Sequence, residues 1–221
     1  MTFKRARSEE QRAIRRRAIL DTAAAMLDEM PVAEVSLNEL SRRVGLAKSN
    51  VLRYFESREA VLLELLDDFL GSWLEALADE LTREVDAGAA PEVRARQAAE
   101  VISRSLAERT VLCDLFGAQG GVLERNVSVE VVKRHKRASI ARLATMAELL
   151  RGHVPEIGDA AENFCLMALA VAGALDTYVP PPPSVLAAYA EEPELGVLHM
   201  ELPDALRLAV TSLLLGVLPR D

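Results

Sequence analysis

The sequence predicts an all-α fold: a small N-terminal head of three helices containing a helix-turn-helix, followed by a larger helical body. Three observations predict it. Half of the 221 residues are apolar, Ala and Leu dominate, and Gly (11) and Pro (10) are moderate, a composition that favours helix over sheet. Apolar residues recur three and four apart through most of the chain, the period of a helix with one buried face. Helix-start signals stand where these runs begin, and no strand-like alternation survives.

Ser8 followed by Gln11 reads as a capping box opening the first helix. Ile19, Ala23, Met26, Leu27 and Met30 form its inward stripe, and Pro31 closes it. Ser36 followed by Glu39 is a second capping box, opening "LNELSRRV" with Leu37, Leu40 and Val44 inward. Gly45 is placed to end that helix in the left-handed conformation that glycine tolerates. In "GLAKSNVLRYF", Ala47, Val51 and Phe55 lie four apart and share a face, expected to join Leu40 and Leu46 in the core. Lys48, Ser49, Asn50, Arg53 and Tyr54 are left on the other faces. Ser57 reads as the N-cap of a fourth helix from Arg58 to about residue 86, with Val61, Leu65, Leu66, Phe69, Leu70, Trp73 and Leu77 inward. The tight glycine turn between the second and third helices is the mark of a helix-turn-helix. The expected division is residues 1–57 for the head and 58–221 for a regulatory and dimerisation body.

The body reads as helix throughout. Pro91 opens one reaching Arg109, and "VLCDLFGAQGG" is a short one broken by glycines. A long helix spans about 127–151, and "GDAAENFCLMALAVAGALDTYV" is an apolar one stopped by Pro180–Pro183. A weaker helix follows at 184–191, and "PDALRLAVTSLLLGVL" closes the series.

Charge is unevenly shared. Residues 1–59 hold 12 Lys/Arg against 9 Asp/Glu and the rest hold 14 against 25, within a net charge of −8. A mildly basic head on an acidic body suits nucleic-acid binding by the head alone. The opening residues lack the apolar core of a secretory signal. The longest apolar run, Phe164 to Leu175, falls short of the ~20 residues of a membrane span, so a cytoplasmic location is expected. Cys113 and Cys165 have no CxxC partner and read as small buried hydrophobes. His135, His153 and His199 lack metal-ligand spacing, and His135 lies in "KRHKR", read as a solvated helix face. No Gly-rich phosphate loop, GxSxG or HExxH motif is present; no enzyme, cofactor or metal is expected.

The stretch "SLNELSRRVGLAKSNVLRYFESREAVLLELL" resembles the DNA-binding head of the TetR/AcrR family of transcriptional regulators, over roughly residues 10 to 70. Two positions depart from that pattern: Leu52 stands where the family usually has a phosphate-contacting tyrosine, and Arg58 replaces the usual lysine while keeping the charge. A major groove about 12 Å wide admits one helix, whose first residues reach base edges. Lys48, Ser49 and Asn50 occupy that place; alone they read equally as a solvated helix start, and the flanking pattern favours contact. Arg53 and Tyr54 are candidates for phosphate or base contact, with half-buried packing the other reading of Tyr54. Asn38 and Arg58 are expected on backbone phosphates. The arm Lys4–Arg7 and Arg15–Arg17 read mainly as solvated charge.

The resemblance also implies a homodimer, formed by the last two major helices, that reads a two-fold operator. Ala168, Ala172 and Leu175, with Leu206 and Leu213, are the candidate contacts, burial within one subunit being the other reading. It further implies a pocket for a small effector, and the few charges inside the helical stripes point to a largely apolar one. Trp73, Cys113, Phe116, Met146, Phe164 and Met167 are its candidate lining, though plain core is the commoner role of such residues. The function expected is DNA-binding regulation, as a repressor released by a ligand. Its rivals are an activator, a regulator answering to a protein partner without a ligand, and a helical enzyme with an incidental helix-turn-helix.

Overall fold

The computed structural model describes residues 2–219, with side chains from Glu9 onward. Among them the structure is helical with no strand. Helix α1 runs Thr2–Leu27, so the backbone is already helical at Ser8; the Ser8 cap and the Lys4–Arg7 arm have side chains outside the described residues. Helix α2 (Leu37–Arg43) starts as expected, with Ser36 Oγ accepting from the Glu39 amide at 3.2 Å. Gly45 has φ +70° with nothing near an added Cβ, so its role is the left-handed turn itself and not close approach. Helix α3 (Lys48–Val51) is short, and hydrogen bonds continue its turn to Phe55. Helix α4 (Arg58–Glu84) is capped by Ser57, whose hydroxyl accepts from the Ala60 amide at 3.2 Å.

The head core joins Ile19, Ala23 and Met26 of α1, Leu40 of α2, and Val51 and Phe55 around α3, all at most 3% exposed. Ala47 lies outside this core: it is the N-cap of α3 and is exposed. Helix α4 belongs to both parts, packing on α1 in the head and on α5 (Pro91–Ala107), α6 (Thr110–Ala118) and α7 (Val129–His153) in the body. Helices α8 (Ala161–Asp176) and α10 (Leu202–Val217) pack on each other, α8 also against α6 and α7, and α10 against α5; the short α9 (Pro183–Glu191) buries no residue.

Between α6 and α7 the chain forms one turn of π-helix, Gln119–Leu123, and a 3-10 turn, Glu124–Asn126. π-turns of this kind are frequent at functional sites. Helices α6 and α8 touch backbone to backbone: a Cβ on Gly173 would meet Gly117 N and Phe116 C at 2.6 Å. Pro155–Asp176 is the one helical stretch among the described residues long and apolar enough by composition to cross a membrane, at 22 residues and mean hydropathy 1.3. Its backbone departs from helix at Gly158 (φ 51, ψ −129), so the unbroken helix is α8 alone, 16 residues. That is short of ~20, and Phe164, Cys165, Ala168, Leu169 and Ala172 turn into the protein core.

Candidate nucleic-acid interface and effector cavity

The geometry of α3 divides its residues by face. Val51 and Phe55 are buried, which turns Lys48, Ser49, Asn50, Leu52 and Arg53 outward. Among the described residues, the side chains of Asn38, Lys48, Ser49, Asn50 and Arg53 make no hydrogen bond or ion pair within the chain. Their donors therefore face solvent, at the start of α2 and around α3. The neighbouring Arg42 and Arg43 are not part of it. Both hydrogen-bond the Glu39 carboxylate, at 2.6–2.9 Å, and lower its pKa to about 2, the Arg42 bond contributing most. Arg43 reaches Glu29 as well, at 2.8 Å.

Two expected contacts, Tyr54 and Arg58, look inward, and so does Arg16. Tyr54 is half-buried against the core, the packing reading of that residue. Arg58 folds over the α1–α2 connection, donating to Val35 O at 2.6 Å and Ala33 O at 3.4 Å, while its Nε meets Glu59 at 3.0 Å. Arg16, expected in a solvated run, is a tie between head and body. It grips the Glu64 carboxylate through two nitrogens, donates to Tyr54 O at 2.7 Å, and lies 4.0 Å from the Phe55 ring centroid. Arg17 likewise pairs with Asp21 and Asp68, at 2.8 and 3.2 Å. A charge run read without its tertiary partners looks solvated; here the acidic residues of α1 and α4 supply those partners.

A cavity of about 300 Å³ lies between α4, α6, α7 and α8. Leu66 and Leu70 of α4, Phe116 of α6, Leu143 of α7 and Leu169 of α8 make its apolar wall. Gln119 and Glu124 of the π and 3-10 turns, His135, Lys136 and Ser139 of α7, and Asp67 of α4 make a polar one. Of the expected lining, only Phe116 is there. Cys113, Met146 and Phe164 are at most 2% exposed and belong to the solid core, and burial pushes the Cys113 thiol up to about 12. Trp73 is also buried, its indole donating to Ser105 Oγ at 2.8 Å, beside a different cavity near the end of α1. Met167 is 46% exposed on the outer face of α8. Helical period told which residues point inward, but not which of them meet empty space.

His135 was missed as a cavity residue because four basic neighbours surround it. The signal was its register: Val131, His135, Met146 and Leu150 form the buried stripe of α7. The polar wall of the cavity also adjoins, along the chain, residues that touch the end of the head. Two residues past Glu124, Asn126 O accepts from Ser57 Oγ at 3.4 Å, and the Ser128 amide donates to the Glu56 carboxylate.

The expected dimer contacts divide. Ala168, Ala172 and Leu206 are 0% exposed within the single chain and line its own core, so they are corrected to intramolecular packing. The small side chains of Ala168 and Ala172 suit the packing of α8 against α6 and α10, while Leu206 fills space between α10 and its neighbours. Leu175 and Leu213 are partly buried. The apolar residues turned outward are Leu166 (49% exposed), Met167 (46%) and Leu208 (70%), with Ala170 and Ala174 exposed on the same helix as the first two. Among the described residues no cluster of His, Cys, Asp or Glu is arranged to hold a metal ion.

Comparison with known proteins adds three findings. Residues 19–65 match the family described as "Bacterial regulatory proteins, tetR family", and residues 71–221 match "Tetracyclin repressor-like, C-terminal domain". The HTH-type transcriptional regulator EthR of Mycobacterium tuberculosis is 44% identical over 50 residues, and that of Mycolicibacterium smegmatis 39% over 56. The matched stretch is about a quarter of the length of these relatives, 23% and 26%. Among solved structures, Thermus thermophilus FadR, a TetR family repressor in complex with lauroyl-CoA, aligns with TM-score 0.57 at 18% identity, over 93% of this chain and 96% of that one. Bacillus subtilis FadR in complex with stearoyl-CoA aligns with TM-score 0.54 at 14% identity, over 90% and 97%.

Proposed function

The chain belongs to the TetR family of DNA-binding transcriptional regulators, and we propose that it acts as a cytoplasmic homodimeric repressor released from its operator by a small molecule. The observation that carries the DNA reading is the outward, internally unpaired set Lys48, Ser49 and Asn50 on a helix held from behind by Val51 and Phe55. Lys48 suits guanine acceptors and Asn50 suits adenine; Asn38 and Arg53 suit phosphates. Arg58 acts on DNA chiefly by holding the α1–α2 connection in place. The division at residues 57 and 58 then separates a reading head from a regulatory body joined through Ser57 and α4.

The outer apolar residues of α8 and α10 support a dimer through those helices, Leu166, Met167 and Leu208 supplying the contact and Leu175 and Leu213 its margin. Two heads about one helical turn, ~34 Å, apart read a two-fold site. The cavity beside α4 supports a small-molecule effector, and the acyl-CoA carried by both FadR relatives supports an effector in the helical body. An effector that favours a head spacing unable to bridge successive grooves lowers DNA affinity by its differential binding energy.

The test is a gel shift on the DNA upstream of the chain's own gene, with light scattering to count subunits. Binding should weaken steeply with salt. Lys48→Ala and Asn50→Ala should change which sequence is preferred. Operator binding unchanged in both variants would overturn the assignment of α3, and a monomer in solution would overturn the dimer.

A further inference from the structure

The body is acidic as a whole, 14 Lys/Arg against 25 Asp/Glu, yet residues 125–137 hold Arg125, Lys133, Arg134, Lys136 and Arg137 against Glu130 alone. Two of these cations are matched by nearby carboxylates: Lys133 meets Glu130 at 2.9 Å and Lys136 meets Glu124 at 2.6 Å. Arg125, Arg134 and Arg137 are exposed and have neither a hydrogen bond nor an ion pair within the chain. Every other arginine among the described residues of the body has one, from Arg58 to Arg207. In a body so rich in carboxylates, three unpaired guanidiniums in one short stretch make a positive patch that sets it apart from the rest of that surface.

The patch lies where the body meets the reading head. Ser57 Oγ donates to Asn126 O at 3.4 Å and the Ser128 amide donates to the Glu56 carboxylate, so this stretch docks on the two residues that follow Phe55. The Glu56 carboxyl is held below the ordinary carboxylate range by Ser128 first and, more weakly, by the charge of Arg134. From there α7 runs beside α4 in the same direction. Val131 and Arg134 share a cavity wall with Ala60, Leu63 and Glu64, and Arg142 reaches Asp67 farther along. The first turns of both helices therefore stand at the head.

We propose that Arg125 and Arg134 bind phosphates of the DNA backbone beside the bases read by α3, a contact made by the body and added to that of the head. The inference rests on reading α3 as the DNA-reading helix. A guanidinium suits a phosphate by charge and by its paired donors, and such a contact positions the protein without reading sequence. Glu56 already accepts from the Ser128 amide, and Glu124 and Glu130 have lysines of their own, which leaves the two arginines open to an anion from outside the chain. Arg137, one turn farther from the head, adds to the field and not to the contact.

The test is the salt dependence of binding to the DNA upstream of the chain's own gene, read by fluorescence anisotropy for the full chain and its variants. Each phosphate contact contributes about 0.9 to the slope of log K against log salt, and a dimer carries two of each. Arg125→Gln and Arg134→Gln should each flatten the slope by about 2, and together by about 4, with the preferred sequence unchanged. Arg83→Gln removes the same charge near the far end of α4 and should leave the slope as it was. A slope that both patch variants keep, or that Arg83→Gln flattens as much, overturns the proposal. Lys48→Ala and Asn50→Ala separate it from the reading it rests on. If they shift the sequence preference while the arginine variants change nothing, only the body contact fails. If they shift nothing while the arginine variants flatten the slope, α3 loses its assignment and the phosphate contact stands. No binding by the unsubstituted chain overturns both.

Discussion

Replacing Gly173 by alanine tests the closeness of α6 and α8 against the ordinary helix preference for alanine. The new Cβ would stand 2.6 Å from Gly117 N and Phe116 C and 2.7 Å from Phe116 Cβ. Two of those three atoms are backbone and cannot swing aside. To restore an ordinary contact of about 3.5 Å, the two helices must part by close to ~1 Å, which forfeits a quarter to a half of the dispersion energy of each contact it opens. Overpacking of this kind costs about 1–3 kcal/mol. Alanine in a helix interior returns up to about 1 kcal/mol relative to glycine. The net loss should be about 1–2 kcal/mol, lowering the thermal midpoint of a chain this size by about 3–6 °C. Gly216, in α10 with nothing within 4 Å of an added Cβ, is the control. There the same change should raise the midpoint by a degree or more, because only the helix preference acts. Differential scanning calorimetry of the two variants decides it: midpoints that rise together would refute the backbone contact.

Arg58→Ala should lower the thermal midpoint and weaken binding to all DNA sequences together, since its bonds to Val35 O and Ala33 O hold the head; full stability with weaker binding would return Arg58 to a phosphate. Arg16→Gln should cost about 2 kcal/mol of stability through its lost charge-assisted bonds to Glu64 and Tyr54 O, read by urea unfolding, and an unchanged midpoint would refute the tie. Burial and then the charge of Asp114 raise the Asp176 pKa from 3.8 to about 6. The folded state therefore holds this proton more tightly than the unfolded one, and stability from Asp176 should be lost as pH rises through about 6. Buried His135, with its lowered pKa, pulls the other way over the same range. The readout is thus the difference between the chain and Asp176→Asn in thermal midpoint from pH 5 to 7, and parallel curves would remove the effect.

What the sequence revealed well was local. The Ser36 and Ser57 caps and the Gly45 turn depend on residues within a few positions, and each stands as read. The start of α1 was misread for the same reason: Ser8 and Gln11 fit a cap locally, but nothing before them stops a helix, and it begins at Thr2. Partners distant in sequence were not legible. Glu64 and Tyr54 are 48 and 38 residues from Arg16, and no periodicity announces them. The cavity was the least legible part, because it depends on what four helices leave unfilled. Ala168 and Ala172 show the opposite confusion: small residues permit close approach, but here the approaching helices belong to one chain.

The sharing of α4 between head and body has a mechanical consequence. With 27 residues it is a rod of about 40 Å, at ~1.5 Å per residue, and no flexible linker separates the two parts it serves. A tilt of only ~5° about its body end would carry the head end sideways by about 3–4 Å, by the length of the rod alone. In a dimer both heads would move, so the gap between them would change by a sizeable fraction of a groove width of about 12 Å. Leu66, Asp67 and Leu70, which line the cavity, sit between about a third and a half of the way along that rod from its head end, where a modest push has leverage.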